Sequence, residues 1–157
     1  MKYYFEAKER QEALVSEALS WLGTPFILNS RVKGTGVSCH NLVIGVWGNV
    51  GVKLDFESPK GSGKVGDQTR LKAISNFMAD KSQFDRIDMK EDSLMVGDLV
   101  SFKTTTGEYH CGLFLGEVDG QKDVVMQVLK PMGCFLSNLG DSTFFKRLSG
   151  AWRLKHG

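Results

Sequence analysis

Apolar residues of the first segment recur at helical spacing: Ala7, Leu14, Ala18, Trp21 and Leu22 share a face, and Gly23 and Pro25 follow as a stop signal. A polar, glycine-containing stretch, "FILNSRVKGTGVS", reads as a loop. After it Leu42, Val43, Val46, Trp47 and Val50 form a second helical stripe, with Gly51 placed to cap its end. A third short helix is expected at about Gln68–Ala79, turning Leu71, Ile74, Phe77 and Met78 inward. From Val96 the period shortens to two. The runs "VGDLVSF", "YHCGLFLGE", "DVVMQVL", "CFLSNL" and "GAWRLK" read as five successive strands separated by turn-rich segments. Helices followed by strands predict an α+β domain, its N-terminal helices packed on one face of an antiparallel five-stranded sheet. No internal repeat interrupts residues 1–157, which read as one domain.

Composition narrows the function classes. A chain of 157 residues, 41% apolar, is long enough for one buried core, and no apolar run is long enough to span a bilayer. Glu6, Glu9 and Arg10 stand where a secretory signal would be apolar, so no signal peptide and a cytoplasmic location are expected. The net charge of +2, with Lys and Arg scattered, argues against a nucleic-acid partner. Cys39, Cys111 and Cys134 are odd in number and lack paired spacing, which fits reduced thiols better than a disulfide scaffold. The segment "ESPKGSGKVGDQ" looks like a phosphate loop. Ser58 and Val65 occupy the positions where that motif needs Gly and Ser or Thr, so an exposed loop is the reading.

The chemistry concentrates where "GTGVSCHNLVIGVW" passes from loop to helix. A cysteine in the first turn of a helix ionises more readily than an ordinary thiol, because the helix dipole and unpaired N–H groups favour an anion. Cys39 has that position, with Ser38 as the N-cap candidate and glycines that let backbone N–H groups approach an oxyanion. The plainer alternative is a buried, inert cysteine. A thiolate nucleophile needs a proton partner. His156 is nearly terminal, and His40, about 100° around the helix from Cys39, reads as a surface or cap histidine, with groove lining as the alternative. His110 remains, on a strand where it faces the same way as Gly112, read as open space, and Phe114. If the next turn centres on Asp119 and Gly120, Gln127 lies diagonally across from His110, close enough to orient the imidazole. Cys111 and Cys134 read as core or sheet-face residues, and no ligand pair has metal-binding spacing.

The stretches "WLGTPF", the helix-opening cysteine, "GDLVSF" and "HCGLFLG", in that order between about residues 13 and 130, resemble the NlpC/p-sixty family of papain-like cysteine peptidases, particularly its phage-associated members. The resemblance implies Cys39 as nucleophile, His110 as base and Gln127 as the third residue. It also implies hydrolysis of a peptide or amide bond in bacterial cell-wall peptide stems, a muropeptide substrate, no metal and no organic cofactor. Phe26, Ser38, His40 and Asn41 stand where the family commonly has Tyr, Asp, Ser and Gly. Phe26, Ser38 and His40 are thereby the expected substrate-binding positions, without the carboxylate that would meet a substrate ammonium. Two alternatives follow from those departures: a peptidase-like binding module, such as a phage tail component carried on the particle with tail-protein partners, and an amidase or acyltransferase acting on a non-wall substrate.

Overall fold

The computed structural model describes residues 1–54, 60, 62, 64, 76, 78–103, 109–140 and 148–156. The helix expected near 68–79 and the loop at 57–68 lie largely outside the described residues.

Helix α1 (Lys8–Leu19) buries Leu14 and Ala18. It stops earlier than the apolar stripe suggests. Trp21 is buried in the turn that follows, its indole N–H donating to Glu17 Oε2 at 2.7 Å, while Leu22 stays exposed and Gly23 takes a positive φ of 82°. A two-stranded ribbon, β1 (Arg31–Val32) with β2 (Gly36–Val37), leads into helix α2 (Cys39–Asn49). Val50 caps α2, and Gly51 follows with φ of 96°, the left-handed conformation that ends a helix most easily on glycine. The first turn of α2 is buried on every side: Cys39, His40, Asn41, Leu42 and Val43 in succession. Farther along, Trp47 stacks on Phe84 with ring centroids 5.8 Å apart.

Among the described residues the large sheet is antiparallel and has six strands: β3 (Phe84–Arg86), β4 (Leu99–Lys103), β5 (Tyr109–Val118), β6 (Gln121–Leu129), β7 (Gly133–Asn138) and β8 (Leu148–Leu154), in the spatial order β3-β8-β4-β5-β6-β7. The sixth strand is β3, three residues that pair with β8 at the sheet's edge. A segment so short, with an alternation of one apolar position, carries too little pattern to read from sequence.

Alternation divides the core. Leu99, Cys111, Leu113, Met126, Val128 and Cys134 pack with Leu14, Leu42, Val46 and Trp47 of the helices. Val100, Phe102, Phe114, Val125 and Ala151 fill the opposite face with Ile87 and Leu139. The β5–β6 turn sits on Asp119 and Gly120, both with positive φ, as a two-residue hairpin turn requires. Leu113 therefore pairs with Met126, despite two compensating bulges nearer the turn, and continuing that register sets His110 level with Leu129.

Gly112, read from sequence as open space beside His110, is the reverse. A Cβ there would meet Val125 Cγ1 at 2.7 Å and the Met126 carbonyl at 2.9 Å, so glycine lets β6 approach closely. Among the described residues no helix is long and apolar enough to cross a membrane.

Candidate active site

Cys39 is the first residue of α2, where the helix leaves its leading N–H groups without intrahelical partners. Ser38 occupies the N-cap position, but its hydroxyl does not cap. It accepts instead from Asn41 Nδ2 at 3.1 Å, and the same Nδ2 donates to the Ser30 carbonyl at 3.1 Å. The Ser38 N–H also donates to the Ser30 carbonyl, which ties the loop before the helix to its first turn. Backbone N–H groups at the start of α2 are thus left for an anion rather than capped from within.

The N-terminus of α2 reaches the beginning of β5, and there the Cys39 thiol meets two consecutive strand residues, Cys111 and His110. Its pKa is held well below the ordinary thiol range. The hydrogen bond with Cys111 is the main cause and works against burial, with His110 and then His40 adding to it. For His110, burial pushes the imidazole down, but the interactions with Cys39 and Gln127 outweigh it and leave the pKa raised. With the thiol lowered and the imidazole raised, the charged form of each group supports the charged form of the other. Cys39 is 4% exposed and His110 8%, with the Phe102 ring 5.7 Å from the imidazole.

Gln127 lies diagonally across from His110, and its Oε1 is 2.7 Å from His110 Nε2. That bond leaves the other ring nitrogen, Nδ1, for the thiol. Gln127 is completely buried, and its Nε2 donates to Ser137 Oγ on β7 at 2.6 Å. Ser137 pairs with Val125, so it sits on the same sheet face one step further round.

His40 is not a surface histidine. It is 3% exposed, with Nδ1 3.9 Å from Cys39 Sγ and Nε2 buried without a hydrogen-bond partner among the described residues. The 100° step between neighbouring helical positions does not carry the ring away from the thiol, and because α1, the β1–β2 ribbon and the sheet cover more than one side of α2, the ring does not reach water either. Phe26 is half-buried, bridged to Val37 just ahead of the site, with Lys130 Nζ 5.4 Å above its ring.

Sequence reasoning missed Cys111 as a neighbour of the Cys39 thiol and Ser137 altogether. Strand alternation turns Cys111 away from the His110 side, and that inference is correct as far as the strand goes. The thiol on α2 reaches both residues because it stands over the strand's end. Cys134, by contrast, is isolated, and burial pushes its thiol up to about 12. Alkylation with iodoacetamide near neutral pH is expected to label Cys39 and spare Cys134. Cys111→Ala is expected to move the Cys39 alkylation midpoint upward, since it removes the strongest support for the thiolate. An unchanged midpoint would contradict that assignment. No group of three or more His, Cys, Asp or Glu side chains among the described residues is arranged to hold a metal ion.

No protein-family model and no curated protein matches the sequence. Solved structures do. An NLP/P60-family protein similar to lipoprotein from Staphylococcus aureus subsp. aureus Mu50 superposes with a TM-score of 0.65 at 22% identity, covering 99% of this chain and 44% of that one. NlpC2 from Trichomonas vaginalis gives 0.62 at 13% identity, over 96% and 48% of the two chains. The NlpC/p60 domain of the peptidoglycan hydrolase SagA gives 0.52 at 16% identity, over 90% and 96%. The chain spans about half the length of the first two structures and nearly all of the SagA domain. Helices α1 and α2 on an antiparallel sheet, with α2 opening on a cysteine at the start of β5, are thus built on the α+β fold found in NlpC/P60 proteins.

Proposed function

We propose that the protein is a cysteine hydrolase that cleaves a peptide or amide bond in bacterial cell-wall peptide stems, with Cys39, His110 and Gln127 as its triad. The observation that carries this reading is the linked series thiol, imidazole, buried amide, running from a helix N-terminus across β5 to β6. Cell-wall stems as the substrate class rest on the likeness to NlpC/P60 structures, one of which is the domain of a peptidoglycan hydrolase.

The chemistry follows from the geometry. Cys39 sulfur bonds to the scissile carbonyl carbon, and the oxygen that becomes negative is received by the unpaired N–H groups opening α2. As the tetrahedral intermediate collapses, the C–N bond breaks and the His110 imidazolium gives its proton to the leaving amine. Water, deprotonated by His110, then attacks the thioester and releases the acid and the thiolate. Gln127 accepts from Nε2 throughout and holds the ring in the orientation both steps require.

Incubation with defined muropeptides tests the proposal. The wild type is expected to release a stem fragment, detectable by mass spectrometry, and Cys39→Ala to release none. Intact stems with every muropeptide would overturn the substrate class. One observation favours a second reading, an amidase or acyltransferase acting on a non-wall substrate. Ser38 is completely buried and accepts from Asn41, which also bonds Ser30, so neither a carboxylate nor an exposed hydroxyl awaits a substrate ammonium at these positions. An activated Cys39 thiol in a protein inert to all muropeptides would decide for that reading.

A further inference from the structure

We infer that Ser137 is a positioning residue for this site: its hydroxyl fixes the Gln127 amide with the carbonyl toward His110 Nε2. The inference rests on the thiol-hydrolase reading for its purpose, though not for its geometry.

A primary amide can present either end to a neighbour, and the two ends have opposite effects on an imidazole. Gln127 is completely buried, so water does not arbitrate and its partners must. Its Oε1 lies 2.7 Å from His110 Nε2, and its Nε2 lies 2.6 Å from Ser137 Oγ. Ser137 Oγ in turn lies 3.4 Å from the Val125 carbonyl, which can only accept. The hydroxyl has one proton. Donating it to Val125 leaves only lone pairs toward Gln127, and lone pairs demand the N–H end of the amide. The carbonyl end is then turned to His110, where it accepts from Nε2–H. A reversed amide would set N–H against N–H whenever the ring is protonated, which opposes the imidazolium. Ser137 therefore acts on Cys39 through two intermediaries and touches neither the thiol nor the imidazole.

Three substitutions separate this from packing: Ser137→Ala, Ser137→Val and Ser137→Thr. Thr keeps the hydroxyl, and Val keeps the shape of Thr without it. Ser137 is only partly buried, so the added methyl is tolerable. The imidazole of His110 is titrated by ¹⁵N-edited NMR, and Cys39 is titrated by alkylation rate, both without substrate. Ala and Val are expected to lower the His110 midpoint by about one unit and to slow Cys39 alkylation at mildly acidic pH roughly tenfold. Thr is expected to titrate like the wild type, and all variants to keep the wild-type circular dichroism spectrum. Ala and Val proteins titrating as the wild type does would overturn the inference, as would a Thr protein that behaves like Val. Failure of the hydrolase reading is recognised separately: wild-type Cys39 would then alkylate as an ordinary thiol, unmoved by His110→Ala. The His110 titration across the three variants still decides the role of Ser137 in that case.

Discussion

His110→Ala is expected to reduce hydrolysis by about a thousandfold, the scale of a lost general acid–base group, and to raise the pH at which Cys39 becomes reactive. Both effects have one origin. In the folded protein Cys111 and then His110 lower the thiol, while Cys39 raises the imidazole against burial, so each of the two charged forms supports the other. The wild-type rate should rise as pH climbs through the depressed thiol titration, because thiolate forms. It should fall again above the raised imidazole titration, because the leaving amine then finds no proton. The limbs belong to the coupled pair rather than to either residue alone. In His110→Ala the upper limb disappears. The thiol does not return entirely to ordinary behaviour, since the Cys111 hydrogen bond, the larger support, survives the substitution. The measurement is kcat/KM against pH on a cleaved muropeptide, paired with iodoacetamide rates on the same proteins. A loss within tenfold, or an unchanged profile, would remove His110 from the mechanism.

The elements that sequence makes legible are those whose cause is local. Leu42, Val43, Val46 and Trp47 write α2 plainly, and Gly51 marks its end. The Asp119–Gly120 turn admits two residues with positive φ, and because the two bulges beyond it cancel, the register counted from that turn makes Gln127 diagonal to His110. What stayed hidden depends on side-chain contacts that no periodic pattern encodes. Ser38 has the chemistry of an N-cap, yet a side chain three residues on, Asn41, takes its hydroxyl. The helical wheel sets His40 apart from Cys39, yet its ring reaches the thiol and is buried, since a wheel says neither how far a side chain bends back nor which sides are covered. Cys111 reads as core filler because strand alternation does not reveal that a helix terminus stands over it. β3 is legible only as a partner of β8, through Phe84 opposite Leu154. The site's supports, more than its reacting groups, are tertiary in origin.

The scaffold beneath the site is expected to depend heavily on one ion pair, and Asp98→Ala should destabilise the fold by about 3–5 kcal/mol. The Asp98 carboxylate is 1% exposed. It accepts from Arg153 Nε at 2.9 Å, from Arg153 Nη2 at 2.8 Å and from the Met95 N–H at 2.8 Å. Arg153 lies on β8 and also donates to the Ser93 carbonyl, while the Asp98 backbone carbonyl accepts from the Phe114 N–H of β5. One carboxylate thus joins the entry to β4, its neighbour β8 and the loop before it. Truncating it leaves a guanidinium that is only 12% exposed without its counter-charge, and the Met95 N–H without an acceptor. An uncompensated buried charge costs far more than the intact pair contributes, so a large loss is expected even where the pair's own net stabilisation is small. The surface pair Lys8–Glu12, exposed at both ends, supplies the contrast: Lys8→Ala should leave stability unchanged within error. Urea denaturation of the two variants measures the difference, and Asp98→Ala should melt roughly 10 °C lower. Below its melting range the Asp98 variant should still titrate Cys39 as the wild type does, because none of the three side chains at the thiol touches this carboxylate. A loss under about 1 kcal/mol, the scale of an exposed pair, would mean that Arg153 finds water or another acceptor and that β4 and β8 are held by their ladder alone.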